Sequence, residues 1–219
     1  TGVQTCALPI SKKDQIAWFS DAGGEGYALL LADQDGMSEP KSIAIGESKM
    51  AWDPVWSPDG AYIAFADDDV RIRIIDLEAE TVSTVDVGGN NLDRSRTGMT
   101  WAPDSKKLAY TKTAANGFRQ IMIYDVEKEA SQALTNTFAD AFAPAWDSDQ
   151  KHLYFLASTD LALGSGWANT SAIQADPDYA AYVVVLQEGQ SSPFIPRSDE
   201  EEPEEEKEAT DASEKEEKK

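Results

Sequence analysis

A tryptophan that recurs every 45 residues is the feature of this chain that most limits its possible folds. Trp56, Trp101 and Trp146 each precede a short polar turn, and each turn is followed by a short apolar segment. A degenerate copy of the unit at residues 11–19 lies about one period upstream. A period of this length is typical of repeat architectures in which each unit is one small supersecondary structure.

The clearest unit reads as four strands joined by tight turns. Ser57-Pro58-Asp59-Gly60 favours a turn, because Pro fixes φ, Asp bonds back to the backbone and Gly tolerates positive φ. Strands are predicted before this turn and at residues 63–65, 70–76 and 81–87, where apolar residues alternate or run together. Four strands in about 45 residues indicate a β-propeller blade. We therefore predict an all-β partial propeller over residues 11–197, with three full four-stranded blades and part of a fourth.

The repeated tryptophans have a structural explanation in such a fold. A single four-stranded sheet cannot bury both of its faces, so bulky side chains must fill the space between neighbouring sheets. We expect Trp56, Trp101 and Trp146 to pack in these interfaces rather than to contact a ligand. Because a closed propeller has about four to eight blades, we also expect the chain to be a fragment of a larger ring.

The charge of the chain excludes several partners. There are 40 acidic and 19 basic residues, a formal net charge of -21. Nucleic acids and anionic membrane surfaces attract basic patches, so neither is an expected partner. No run of 18 or more apolar residues is present, which excludes a membrane-spanning helix from the sequence.

The two ends of the chain differ from the repeat region. Residues 1–10 (TGVQTCALPI) lack the features of a signal peptide, and we expect them to be a non-native leader. This leader contains Cys6, the only cysteine, so no disulfide framework is predicted. Residues 198–219 hold 12 acidic and 4 basic residues with no aromatic side chain, and we predict a disordered acidic linker there.

The residues that could perform catalysis are few. His152 is the only histidine, so a Ser-His-Asp arrangement would have to use it. Its alternating surroundings fit a histidine at a strand edge or at the surface. No G-x-S-x-G motif occurs, and Gly164-Ser165-Gly166 is interpreted as a flexible loop. This loop belongs to the irregular segment 161–180, which could line or cap one face of the propeller. We predict no catalytic residue in this chain.

Metal and cofactor sites are not predicted either. Asp67-Asp68-Asp69 lacks the spacing of a calcium-binding loop and favours a solvated hairpin turn. Gly88-Gly89-Asn90-Asn91 favours a turn between blades, since no helix with Lys-Ser/Thr follows it. The densest group of basic residues comprises Arg71, Arg73, Arg94 and Arg96. These arginines could bind a peptide carboxylate, but the preferred interpretation is that they pair with aspartates or face the solvent.

A resemblance to a known family rests on the repeat and on the last third of the chain. The W-S-P-D-G motif followed by I-A-F resembles the PD repeat of TolB, of prolyl-oligopeptidase-type peptidases and of tricorn proteases. The segments YFLAST at 154–159, YVVVL at 182–186 and SPFIPRSDEE at 192–201 are similar to the end of the second propeller of bacterial tricorn protease homologues. The turn motif departs from the pattern at residues 103–105 and 147–150, which we expect to shift the turn geometry without changing the blade count.

This resemblance implies a function for the parent protein. It implies a propeller that filters or guides oligopeptides toward the catalytic region of a hexameric serine protease, which also carries a PDZ-like domain. The catalytic residues of that family lie outside the matching region, so none is assigned here. The resemblance implies a cytoplasmic location, with the periplasm as the alternative. Two other interpretations stay open: a non-enzymatic TolB-like binding propeller and the propeller of a prolyl-oligopeptidase-type enzyme.

Overall fold

The computed structural model describes residues 14–24, 26–89, 97–159 and 178–195, and the regular structure in these ranges consists of β-strands. The strands are β1 (Gln15–Ser20), β2 (Ala28–Asp33), β3 (Lys41–Ala44), β4 (Ala51–Trp56), β5 (Tyr62–Asp67), β6 (Arg71–Asp76), β7 (Thr81–Val87), β8 (Thr100–Trp101), β9 (Lys107–Thr113), β10 (Arg119–Asp125), β11 (Ala130–Ala133), β12 (Asp140–Trp146), β13 (His152–Ser158) and β14 (Ala180–Val185). Within the described ranges, no helix is long and apolar enough to cross a membrane.

The strands form four antiparallel sheets in which neighbours along the chain are neighbours in the sheet. Their orders are β1-β2-β3, β4-β5-β6-β7, β8-β9-β10-β11 and β12-β13-β14. The predicted all-β class and the predicted strand succession are confirmed. The sequence predicts three full blades and part of a fourth; the described residues contain two four-stranded sheets flanked by two three-stranded sheets. The leader and the acidic linker predicted at the two ends lie outside the described residues.

The hydrophobic core consists of three layers, one between each pair of successive sheets. Trp56 packs against the first layer, Trp101 is buried in the second, and Trp146 packs against the third. The indole N–H of Trp101 donates to the carbonyl of Val55 at 3.2 Å, and that of Trp146 donates to the carbonyl of Thr100 at 3.1 Å. Each tryptophan therefore packs in an inter-sheet space, and Trp101 and Trp146 also bond to the preceding sheet, which confirms the predicted packing role.

The backbone has the same irregularity three residues before each of the three tryptophans. Asp53, Gly98 and Ala143 have φ values of 48°, 51° and 54°. The β4–β5 and β12–β13 ladders both shift register next to this position, as expected for a β-bulge. Positive φ is unstrained for glycine but costs energy for Asp and Ala. The bulge is thus built into the repeat, and only the third sheet places glycine there.

The turns after the tryptophans keep one geometry although the motif decays. The fourth residue after each tryptophan has positive φ: 72° at Gly60, 62° at Ser105 and 61° at Gln150. In each turn an aspartate carboxylate accepts the backbone N–H two residues later, at 3.0, 3.0 and 2.8 Å for Asp59, Asp104 and Asp149. The expected shift in turn geometry is therefore wrong. The aspartate, which all three copies keep, holds the turn where glycine is lost in the second copy and where both proline and glycine are lost in the third.

Candidate functional site

One end of the sheets collects the connectors between successive sheets, and we call it the connector face. It comprises the first residues of β4, β8 and β12 and the turns of the β5–β6 and β9–β10 hairpins. In the second sheet, for example, the start of β4 and the end of β7 lie at the β5–β6 turn, because Ala51 pairs with Asp67 and Arg71 pairs with Val87. The turns that follow the tryptophans lie at the other end, which we call the turn face. Charged side chains at the connector face form one cluster at each junction between two sheets.

The first cluster is centred on Asp67, which is 0% exposed. Its carboxylate accepts hydrogen bonds from the hydroxyl of Ser48 at 2.8 Å and from Nε of Arg71 at 2.7 Å. It also accepts the backbone N–H groups of Asp69 and Arg71. The predicted hairpin turn is present, but the prediction that it is solvated is wrong for Asp67. A buried carboxylate needs such partners, and the four donors supply them.

Arg73 ties the same cluster to the segment that follows the first sheet. Its Nη1 donates to the carbonyl of Ile45 at 2.7 Å and to the hydroxyl of Ser48 at 2.6 Å. Burial, followed by the neighbouring Arg71, lowers the pKa of Arg73 from its usual value. Both arginines are thus committed to Asp67 and its surroundings, which confirms the pairing interpretation for these two. Arg94 and Arg96 lie outside the described residues.

The second cluster joins the second and third sheets through Asp86 on β7. Its carboxylate accepts hydrogen bonds from the hydroxyl of Tyr110 and from Nζ of Lys112, both at 2.7 Å. Burial and the hydrogen bond to Asp86 raise the pKa of the Tyr110 hydroxyl far above its usual value. Tyr110 therefore stays protonated and acts as a donor across the junction.

The third cluster joins the third and fourth sheets through Arg119 and Asp140. Nε of Arg119 donates to Oδ1 of Asp140 at 2.9 Å, and Nη2 donates to Oδ2, which makes the pair bidentate. The hydroxyl of Tyr179 donates to Oδ2 as well, at 3.0 Å. Burial raises the pKa of Asp140, but the hydrogen bonds from Arg119 and Tyr179 outweigh it, so the pKa lies below its usual value.

Aromatic rings surround this third cluster and give it a different chemistry from the other two. The guanidinium carbon of Arg119 lies 3.9 Å from the ring centroid of Phe142, and Phe142 meets Tyr179 edge to face at 5.1 Å. Tyr179 is partly exposed, and Phe138, two residues before Asp140, is 83% exposed. We call Arg119, Phe142 and Tyr179 the arginine–aromatic cluster. With Phe138 beside it in the chain, the cluster forms a surface of aromatic rings next to an arginine that is paired with Asp140.

Sequence reasoning did not find the arginine–aromatic cluster. Its members are separated by up to 60 residues and belong to different sheets, so no local motif connects them. Aligning the repeats with one another places Arg119 and the start of β12 at the same end of adjacent sheets. This alignment is the one sequence signal that could have indicated the cluster.

The remaining candidates from the sequence are distributed elsewhere. His152 lies on the central strand of the fourth sheet, at the turn face, and is buried; the prediction of an edge or surface position is wrong. Gly89 is explained by sterics, because a Cβ there would lie 1.9 Å from the carbonyl oxygen of Thr113. Residues 164–166 and most of the irregular segment 161–180 lie outside the described residues.

Comparison with known proteins gives a consistent set of similarities. A family model described as the TolB β-propeller domain (PD40) matches residues 13–160. Tricorn protease homolog 1 of Streptomyces coelicolor is 28% identical over 153 residues, covering 68% of this chain and 14% of the relative. The tricorn protease of Thermoplasma volcanium is 26% identical over 173 residues, covering 71% of this chain and 16% of the relative.

A solved structure extends the similarity to three dimensions. The crystal structure of the tricorn protease superimposes with a TM-score of 0.66 at 20% identity, covering 90% of this chain and 20% of that one. The chain therefore spans about one fifth or less of the length of these tricorn proteases. The tricorn resemblance noted in the sequence is confirmed, and because the propeller model matches well over half of the residues, this chain belongs to the TolB β-propeller (PD40) family.

Proposed function

We propose that this chain is part of a propeller of a tricorn-type serine protease, and that it filters or guides oligopeptides toward a catalytic region elsewhere in the parent protein. The observation that carries the proposal is the similarity to two tricorn proteases over about 70% of the chain. The role that we assign to this part of the parent protein is contact with the peptide rather than its cleavage.

The connector face supplies the surface for this contact. A guiding surface must hold a peptide weakly and without a strict sequence requirement, so that the peptide moves on. Exposed aromatic rings next to a neutralised arginine suit this, because rings contact many side chains and the peptide backbone. Phe138 and the arginine–aromatic cluster provide such a surface. The clusters at Asp67 and Asp86 are internally paired and hold the sheets in place.

The partners and the location follow from the same proposal. The parent chain would carry PDZ-like and protease domains and assemble as a homo-oligomer, a hexamer in the family that the sequence resembles. We propose the cytoplasm as its location, with the periplasm as the alternative. The family model favours a second candidate function, a TolB-like propeller that binds other proteins and performs no proteolysis.

The DNA on both sides of this reading frame distinguishes the two functions. A tricorn-type parent predicts a PDZ-like domain and a serine hydrolase region downstream of residue 219. A TolB-like parent predicts a secretory signal and a small α/β domain upstream, with a stop soon after the propeller. Sequencing outward from both ends is the experiment, and the second result would overturn the protease proposal.

Peptide binding by the connector face is tested with matched exposed residues. Phe138 at the connector face is 83% exposed, and Met37, in the β2–β3 turn at the turn face, is 87% exposed. We expect Phe138→Ser to weaken the binding of a fluorescein-labelled, uncharged unstructured peptide about tenfold, the effect of losing one aromatic anchor. Met37→Ser is the control and should leave the anisotropy titration unchanged. Equal effects of the two substitutions would contradict a peptide site at the connector face.

A further inference from the structure

Three potential metal ligands converge at the turn face of the fourth sheet. Asp147, Asp149 and His152 each offer one ligand atom, and these atoms lie within 4.8 Å of one another. Nδ1 of His152 is 3.5 Å from Oδ2 of Asp147 and 3.8 Å from Oδ1 of Asp149. These separations are longer than a good hydrogen bond, so the imidazole lies beside both carboxylates without bonding to either.

The histidine gives a second and independent indication of a ligand. Its side chain is only 10% exposed, and neither ring nitrogen has a hydrogen-bond partner among the described residues. An unpaired buried polar group carries a desolvation cost that native structures ordinarily avoid. Nδ1 points toward the two carboxylates, and an ion between them would satisfy it.

The fourth sheet alone has this combination among the three equivalent turns. The positions one, three and six residues after the tryptophan hold Ser57, Asp59 and Tyr62 in the second sheet and Ala102, Asp104 and Lys107 in the third. In the fourth sheet, they hold Asp147, Asp149 and His152. The middle aspartate is explained by the turn that it holds in all three copies. The additional aspartate and the histidine are not needed for that turn.

We propose that Asp147, Asp149 and His152 bind one divalent transition-metal ion of the zinc class, with water completing the coordination. An imidazole nitrogen with two carboxylate oxygens is a ligand set typical of zinc, whereas calcium and magnesium prefer oxygen alone. Ligands at about 2.0–2.1 Å in a tetrahedral site lie about 3.3 Å apart, so the two separations from Nδ1 need to shorten only slightly. The ion would cross-link the β12–β13 turn to the start of β13.

The experiment is a calorimetric titration of ZnCl2 into the full chain, purified without a polyhistidine tag. A Cys6→Ser background removes the only thiol, and about 10 mM Mg²⁺ occupies sites made of carboxylates alone. We expect one zinc per chain, with an affinity that falls at least tenfold in His152→Ala. Asp59→Asn, which removes the equivalent carboxylate in the second sheet, is the control and should bind zinc as the background protein does. Unchanged binding in folded His152→Ala would overturn the proposal.

A second measurement covers the case in which His152→Ala does not fold. Because the chain has one histidine, its ring signals in an NMR spectrum belong to His152 without ambiguity. Under the same buffer conditions, zinc should shift these signals and the shift should saturate at one equivalent. Ring signals that stay unchanged up to several equivalents would contradict the site, whatever heat the titration releases.

Discussion

At the scale of single residues, the ion pairs of this chain differ in how far their charges are buried. The Arg119–Asp140 pair is bidentate and mostly buried, whereas the Lys106–Glu127 pair is exposed on both sides. Removing one partner of a buried pair leaves the other charge uncompensated, while an exposed pair contributes little. Two ion pairs of similar length thus have different expected effects.

We predict that Asp140→Asn lowers the free energy of unfolding at pH 7 by roughly 2–4 kcal/mol, and that Glu127→Gln leaves it essentially unchanged. The pKa of Asp140 is lowered by folding, so its contribution is fully present above the unfolded pKa of about 3.9 and is lost as the pH falls below that value. Urea denaturation at pH 7 and pH 3 measures both effects. The difference between wild type and Asp140→Asn should shrink at pH 3; a constant difference would contradict the assignment.

The residue scale is also where prediction from sequence succeeds least. The 45-residue period fixes the strands and the packing of Trp101 and Trp146, because these depend on local patterns that repeat. The burial of Asp67 depends on side chains from neighbouring elements, and the burial of His152 depends on the strand order of its sheet. A local sequence pattern contains neither kind of information. The arginine–aromatic cluster is a third case, since its three members come from two sheets.

At the scale of elements, the repeated bulge is a strained feature that the sequence resolves differently in each sheet. The third sheet uses Gly98, and the fourth uses Ala143 with φ of 54°. Ala143 is exposed, so its methyl group contributes little burial to offset the strain. A Cβ on Gly98 would contact the Thr111 hydroxyl at 3.5 Å and Cδ of Pro144 at 3.6 Å, which are ordinary distances. Backbone conformation therefore decides the effect of a substitution at either position.

We predict opposite effects from two substitutions at this position. Ala143→Gly removes about 1–2 kcal/mol of strain at positive φ, but the greater entropy of the unfolded chain lowers stability by about 0.4–1 kcal/mol. The free energy of unfolding should therefore rise by about 0.5 kcal/mol. Gly98→Ala reverses both contributions and should lower stability by a similar amount. Thermal unfolding should show shifts of about 1–2 °C of opposite sign. Gly23→Ala, at an unstrained and open position, is the control; shifts of the same sign at 98 and 143 would contradict the argument.

At the scale of the whole molecule, the sheets are local in sequence and are joined mainly through side chains. Each sheet closes its hydrogen-bond ladders among consecutive strands, while hydrophobic layers, tryptophan N–H bonds and charged clusters connect one sheet to the next. Structures of this kind depend on the interfaces between neighbouring units. Repulsion among the carboxylates acts on all of the sheets at once and therefore weakens these interfaces.

We predict that the melting temperature rises when the salt concentration increases from about 10 mM to about 150 mM, because the screening length falls from about 30 Å to about 8 Å. At a net charge of -21, repulsion among unpaired carboxylates opposes the compact state, whereas the partly buried pairs are screened less. Ending the chain at residue 197 removes a net charge of -8 and leaves -13, so the rise should be smaller. Thermal unfolding of both chains at the two salt concentrations measures this. A melting temperature that falls with salt in both would show that the charged clusters outweigh the net repulsion.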